Sequence, residues 1–121
     1  MKIQDLRVGN YVWLHKDSGK KIYQIDSGYD LYKLDESDCV DISPIEITES
    51  ILLKCENIVQ INEFEFCIDE WITLKIEDND WEDVCVDVYL KGIYVTCLSS
   101  INELQNIYYS LVTNELKFNL K

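Results

Sequence analysis

The sequence predicts an α+β fold that is mainly β, and three observations support this fold class. Before residue 100, short segments rich in aromatic and β-branched residues are separated by turns that contain Gly, Asn, Asp or Ser. Between residues 58 and 98, apolar and polar residues alternate, as is typical of an antiparallel sheet with one buried and one wet face. After residue 100, the apolar period becomes that of an amphipathic helix.

The first part of the chain predicts a small curled antiparallel sheet. Gly9-Asn10 forms a turn before the first strand, because both residues tolerate positive φ. Four short strands are expected, at residues 11–15, 21–25, 29–34 and 39–42. Pro44 ends this region, since a proline has no N–H for a central ladder.

A short helix follows the proline. Thr48 is the predicted N-cap, and Glu49 places a negative charge in the first turn, where the helix dipole favours it. Ile47 and Leu52 have the spacing of a hydrophobic staple. From residue 58 the alternating pattern then predicts a β-meander.

The last helix has the clearest signals. Ser100 and Glu103 form a predicted capping box, and Asn114 is expected to end the helix in a left-handed conformation. The residues expected on its apolar face are Ile101, Leu104, Ile107, Tyr108, Leu111 and Val112. The residues expected on its solvent face are Asn102, Glu103, Gln105, Asn106, Tyr109 and Ser110. Because the sequence shows no linker or internal repeat, residues 1–121 are predicted to form a single domain.

Composition excludes several functional classes. The chain has 121 residues, 11 Lys plus Arg and 23 Asp plus Glu, and its formal net charge is −12. Such a charge repels nucleic acid and anionic lipid, so neither is an expected direct partner. No apolar run is long enough to span a membrane, and residues 1–5 lack the apolar stretch of a signal peptide. We therefore expect a cytoplasmic location.

Catalytic and cofactor signatures are missing from the sequence. His15 is the single histidine, and neither a nucleophile elbow nor a P-loop is present. The five cysteines are odd in number and contain no C-x-x-C pair, so we expect five reduced thiols that fill apolar space. The chain is thus predicted to be non-enzymatic, with no catalytic residue, no cofactor and no metal site.

Acidic residues cluster between residues 63 and 87. This stretch contains ten acids and one lysine, a net charge of −9. The candidate interaction residues within it are Glu77, Asp78, Asp80, Trp81, Glu82 and Asp83. One interpretation is a solvated sheet face that maintains solubility. The other is a surface for a basic partner, including a DNA-mimic inhibitor whose carboxylates imitate phosphates.

Two further groups of residues offer binding surfaces. Gln105, Asn106 and Tyr109 give the last helix an uncharged candidate contact patch, which is otherwise ordinary solvated helix surface. The many aromatic residues on strands suggest either core packing or a stacking pocket that sequesters a nucleotide-like molecule. Such a pocket needs cations for phosphates, and Arg7 is the single arginine.

Three segments together resemble a known family. They are Asp-Leu-Arg-Val-Gly-Asn-Tyr-Val at 5–12, Pro-Ile-Glu-Ile-Thr-Glu-Ser-Ile-Leu-Leu-Lys-Cys at 44–55, and Ile-Asn-Glu-Leu-Gln-Asn-Ile-Tyr-Tyr-Ser-Leu at 101–111. Their order and spacing resemble small proteins of Bacteroidetes genomes, prophages and phages. Asn102 replaces the histidine of that family, Glu56-Asn57 replaces its Gly-Phe pair, and the glycine after its last helix is lost near Thr113.

The resemblance implies a phage or mobile-element setting and brings no activity with it. We therefore expect an accessory protein that engages a basic host or phage protein through its acidic surface. The alternatives are sequestration of a nucleotide-like molecule, DNA mimicry and an undiscovered hydrolase activity. The sequence leaves the oligomeric state open.

Overall fold

The computed structural model describes residues 6–16, 19–27, 41–76 and 85–120. In chain order, the elements of these ranges are β1 (Tyr11–Lys16), β2 (Gly19–Gln24), β3 (Asp41–Pro44), α1 (Glu49–Leu52), β4 (Ile58–Asn62), β5 (Glu65–Ile68), β6 (Ile72–Ile76), β7 (Val86–Leu90), β8 (Ile93–Leu98) and α2 (Ile101–Val112). The predicted α+β, mainly β class is confirmed. The strand predicted at 29–34 and the first two residues of that predicted at 39–42 lie outside the described residues.

The chain divides into two compact units, each built from two separate segments. Unit 1 comprises Met1–Ile45 and Ser100–Glu115, and unit 2 comprises Glu46–Ser99 and Leu116–Lys121. The single domain stays a prediction. Neither described helix has the length and apolarity needed to cross a membrane.

In unit 1, three antiparallel strands form a sheet of order β2-β1-β3. Leu6, Val12 and Ile25 form its buried apolar cluster, against which Tyr23 and Ile42 pack. Pro44 is the last residue of β3 and pairs with Val12. Because β3 is an edge strand of the sheet formed by the described residues, the missing N–H of the proline does not interrupt a central ladder there.

Helix α2 completes unit 1 and begins as predicted. Ser100 is the N-cap; its Oγ accepts from the Glu103 N–H at 3.5 Å and donates to Glu103 Oε1 at 2.7 Å. The predicted C-terminus is wrong by one residue. Thr113, with φ of 62°, adopts the left-handed conformation, and its N–H donates to the Tyr109 carbonyl at 2.8 Å. Asn114 does not have positive φ.

In unit 2, five antiparallel strands follow one another in the order β4-β5-β6-β7-β8. The residues of one face form the core, and the central ones are fully buried: Phe66, Ile68, Leu74, Val86 and Val88. We call the opposite side the outer face. Its central positions, all half-buried or exposed, are Cys67, Thr73, Lys75, Cys85, Asp87 and Cys97. The alternation in the sequence therefore corresponds to burial in the sheet.

Two further elements complete unit 2. Thr48 caps α1, accepting from the Ile51 N–H at 3.2 Å, and Ile47 and Leu52 are both buried. Near the C-terminus, Phe118 forms a β-bridge with Cys55 and is buried. This bridge ties the end of the chain to the segment that follows α1.

The expectation of five reduced thiols is wrong for two cysteines. A disulfide joins Cys85 and Cys97, whose Cα atoms are 6.1 Å apart. Antiparallel pairing of β7 and β8 produces this proximity, because Asp87 lies directly opposite Cys97 and Cys85 is its neighbour on the same face. Cys55 and Cys67 are free, as expected. Cys39 lies outside the described residues.

Replacing Thr113 by glycine is expected to raise the free energy of unfolding by about 1 kcal/mol. Thr113 has a branched Cβ in the left-handed region, where glycine avoids the steric cost. Urea denaturation measures the change. Asn114→Gly is the control and should give no stabilisation, because the Asn114 backbone is not in that region. Equal stabilisation by both variants would contradict this explanation.

Candidate functional site

The six acidic-segment candidates, Glu77, Asp78, Asp80, Trp81, Glu82 and Asp83, lie outside the described residues. Their role as an interaction surface therefore stays a prediction from the sequence. In the sequence they fall between the end of β6 and the start of β7. Other acids of the same stretch are described, and two of them, Asp69 and Glu70, contribute to a cavity in unit 2.

This cavity, which we call the acidic cavity, is an open depression of the surface with a volume of about 610 Å³. Its described lining residues are Glu56, Asn57, Val59, Cys67, Asp69 and Glu70. They come from the segment just before β4, from β4 and β5, and from the turn between β5 and β6. The cavity therefore lies along one side of the β4–β5 hairpin and includes part of the outer face.

The turn after β5 places two of the carboxylates. Asp69 and Glu70 both have positive φ, 52° and 72°, and the Trp71 N–H donates to the Ile68 carbonyl at 3.3 Å. These φ values correspond to a type I′ turn, which matches the twist of antiparallel strands. Asn57 Nδ2 donates to Asp69 Oδ1 at 3.0 Å and so links the turn to the residue before β4.

The acidic cavity carries negative charge without a described cation in its lining. Glu56 and Glu70 are exposed and Asp69 is half-buried, so all three carboxylates are accessible at the cavity. Val59, which is 64% exposed, provides an apolar surface beside them. A Lys or Arg side chain combines the matching features, since its apolar stem covers Val59 while its charged head reaches the carboxylates.

Two thiols lie near these carboxylates and differ in environment. Cys67 is half-buried and lines the acidic cavity, whereas Cys55 is buried. Burial raises the pKa of the Cys55 thiol, and the charges of Asp69 and Glu56 raise it further. The Cys55 thiol is therefore protonated at neutral pH and is a poor nucleophile.

The helix candidates Gln105, Asn106 and Tyr109 lie in unit 1 around Arg7. Arg7 forms an ion pair with Glu115, and its Nε donates to Asn106 Oδ1 at 3.1 Å. The Arg7 guanidinium also lies 4.3 Å from the centre of the Tyr109 ring, a cation–π arrangement. The single arginine is thus held within its own unit, where it offers little to a phosphate ligand.

Gln105 connects α2 to the loop before β1. Its Oε1 accepts from the Tyr11 N–H at 3.0 Å, and its Nε2 donates to the Gly9 carbonyl at 2.9 Å. Gly9 has φ of +99°, and a Cβ there would lie 2.9 Å from Glu115 Oε2. The positive φ therefore favours glycine at this position, whereas the Glu115 carboxylate, at the end of a flexible side chain, can shift away from a Cβ.

The expectation that Gln105 and Asn102 face solvent is wrong. Gln105 is 1% exposed and Asn102 is 4% exposed. For Gln105, the reason is that its amide bonds to two backbone groups beside it, the Gly9 carbonyl and the Tyr11 N–H. Polarity on this helix face therefore does not mean exposure. Of the three helix candidates, Tyr109 alone is exposed, and Asn106 is half-buried.

Aromatic side chains do not line the acidic cavity, as far as its described lining shows. Elsewhere, two aromatic rings are each covered by a different lysine. Lys20 Nζ lies 4.5 Å from the centre of a Trp13 ring, and Lys75 Nζ lies 4.8 Å from that of Tyr89. Trp13 belongs to unit 1 and Tyr89 to unit 2. A nucleotide pocket gains no support from these described aromatic residues.

We expect Gln105→Leu to lower the free energy of unfolding by about 2 kcal/mol or more, because it removes two hydrogen bonds from a buried side chain. Chemical denaturation provides the measurement. Ser110→Ala, at an exposed position of the same helix, is the matched control and should change stability by less than about 0.5 kcal/mol. A Gln105→Leu protein as stable as wild type would show that these bonds contribute nothing.

In the folded protein at about pH 8, iodoacetamide is expected to modify Cys67 well before Cys55. Cys67 is partly exposed, whereas Cys55 is buried and its raised pKa leaves little thiolate. Timed alkylation followed by peptide mass mapping measures both rates. In urea the two rates should converge, and equal rates in the folded protein would be incompatible with the described burial.

Comparison with known proteins assigns no relative to this chain. No family model, no curated protein and no solved structure matches it. The resemblance to Bacteroidetes phage proteins therefore stays a prediction from three sequence segments.

Proposed function

We propose that this chain is a non-catalytic binding protein that engages a basic segment of a protein partner at the acidic cavity. One observation carries the proposal: Glu56, Asp69 and Glu70 line a cavity of about 610 Å³ beside exposed Val59, with no cation in the described lining. This arrangement attracts Lys or Arg side chains and repels phosphates.

A protein partner is favoured over a small cation by exposed apolar side chains in the same unit. Val59 and Ile61 lie on β4, the edge strand that contributes to the cavity, and they are 64% and 57% exposed. Exposed apolar residues on an edge strand are a common feature of surfaces that receive another protein chain. The partner that fits both features has basic residues beside an apolar segment.

The setting of the proposal comes from the sequence. The resemblance to phage and prophage proteins suggests that the partner is a host or phage protein in a bacterial cytoplasm. DNA mimicry is one form of this function, in which the basic partner is a nucleic-acid-binding enzyme. Sequestration of a nucleotide-like molecule is a weaker candidate, because the acidic cavity repels phosphate and Arg7 is paired with Glu115.

We expect the double variant Glu56→Lys/Glu70→Lys to lose capture of a basic protein from a Bacteroidetes cell lysate. Both residues are exposed and line the acidic cavity, so their reversal replaces attraction by repulsion. Affinity purification at low and high salt, followed by mass spectrometry, identifies the captured protein. Capture by the wild type should weaken as salt rises.

The matched control is Glu46→Lys/Glu63→Lys. These residues are also exposed, lie outside the described cavity lining, and change the net charge by the same amount. The control variant should capture the partner as the wild type does. Equal loss in both double variants would indicate a general charge effect and would remove the cavity from the proposal. A captured nucleic-acid-binding enzyme would assign the DNA-mimic form.

A further inference from the structure

We propose that Cys85, Asp87 and Cys97 form a redox-gated zinc site on the outer face of the unit 2 sheet. When the disulfide is reduced, the two thiolates and the carboxylate bind one Zn²⁺ ion. When the disulfide forms, the ion is released. The proposal does not depend on the acidic cavity or on its partner.

The strand register brings the three side chains together. Asp87 on β7 lies directly opposite Cys97 on β8, and Cys85 precedes Asp87 by two residues. Residues two apart along a strand point to the same face, so all three side chains share the outer face. One ligand atom of each residue lies within 4.8 Å of the ligand atoms of the other two.

Reduction of the disulfide converts these atoms into zinc ligands. A dithiol reductant supplies two electrons and two protons, which break the S–S bond and leave two thiols, while the reductant becomes a disulfide. Zn²⁺ then displaces both thiol protons to solvent and binds the two thiolates. Two thiolates on a tetrahedral zinc ion lie roughly 3.8 Å apart, given Zn–S bonds of about 2.3 Å. With Cα atoms 6.1 Å apart, rotation about χ1 is sufficient to reach this separation.

The chemistry of the three ligands selects the metal. Thiolates are soft ligands that favour zinc over magnesium or calcium, and a carboxylate is a common third ligand. No described residue forms an ion pair with Asp87. Lys75 lies directly opposite Asp87 in the pairing of β6 with β7, but its Nζ lies over the Tyr89 ring. Three protein ligands leave a fourth position for water.

Oxidation reverses the binding. An oxidant of the disulfide class, such as oxidised glutathione, accepts two electrons from the two thiolates and two protons from solvent, and is itself reduced to two thiols. The Cys85–Cys97 bond forms, and Zn²⁺ loses two of its three protein ligands. Asp87 alone is a weak site, so the ion leaves. One zinc ion is released for each disulfide formed.

Metal titration of the reduced protein tests the proposal. After anaerobic removal of the reductant, Co²⁺ should give a thiolate-to-cobalt charge-transfer band that one equivalent of Zn²⁺ abolishes. Asp87→Asn keeps both cysteines and should bind Zn²⁺ at least about tenfold more weakly. Cys85→Ser should lose the band. Oxidised glutathione, added to the zinc-loaded wild type, should release one zinc ion per disulfide, measured with a chromophoric chelator.

Cys67→Ser is the control, because Cys67 lies on the outer face of the same sheet but outside the three-residue cluster. It should bind metal as the wild type does. Far-UV circular dichroism of each reduced protein establishes that the sheet is intact. Three results would overturn the proposal: an unfolded reduced wild type, a folded one without the band, or equal zinc affinity in Asp87→Asn and wild type.

Discussion

Burial of one face of the five-stranded sheet is the constraint on which the arrangement of unit 2 depends. Phe66, Leu74 and Val88 are fully buried in adjacent strands, so their neighbours along each strand must point to the other side. This places Cys67 and Asp87 on the outer face together with a lysine and two further cysteines. The polar chemistry of the unit is thereby confined to that face and to the turns. A shift of any strand by one residue would exchange core and outer face, so the register is strongly determined.

Unit 1 satisfies its polar groups in a different way, through side chains of a helix. In loop 7–10 and at the start of β1, polar groups bond to side chains of α2, while the Gly9 N–H donates to the Ile25 carbonyl. Gln105 accepts from the Tyr11 N–H and donates to the Gly9 carbonyl, while Asn106 accepts from both Arg7 and Asn10. A buried polar network of this kind specifies one arrangement of loop and helix, since its members lose their partners in any other. The sequence segments 5–12 and 101–111 supply these residues, which gives those segments a structural role.

Much of the fold could be predicted because the deciding signals are local. Alternation from Phe66 to Val88 determines which side of each strand is buried, and the side chains of Ser100 and Thr48 identify two helix starts. The remaining features depend on distant parts of the chain. Gln105 is buried because a loop some ninety residues away needs its amide, as the hydrogen bond from Tyr11 shows. A prediction from helical periodicity assumes that polar residues are exposed, because it takes no account of hydrogen-bond partners that are distant in the sequence.

The candidate sites were less predictable for the same reason. Cys85 and Cys97 are twelve residues apart in sequence, and no spacing rule for metal or disulfide motifs connects them. Pairing of β7 with β8 around the Lys91-Gly92 turn brings them together. The acidic cavity likewise combines Glu56, which precedes β4, with Glu70, which lies in the turn between β5 and β6. In both cases the residue types were visible in the sequence, but the register that groups them was not.

The two proposed sites share one electrostatic environment and are chemically independent. Both lie in unit 2, where carboxylates outnumber the described cations near the outer face, and both therefore favour a positively charged ligand. Thr73 and Lys75 on β6 separate Cys67, at the acidic cavity, from Asp87, at the cysteine pair. A basic peptide needs only accessible carboxylates, whose charge does not change with redox state. Zinc needs two thiolates, which exist only under reducing conditions. The redox state should therefore control zinc binding without changing the attraction for a basic partner. The two sites can thus be distinguished in one protein by comparing it with and without a reductant.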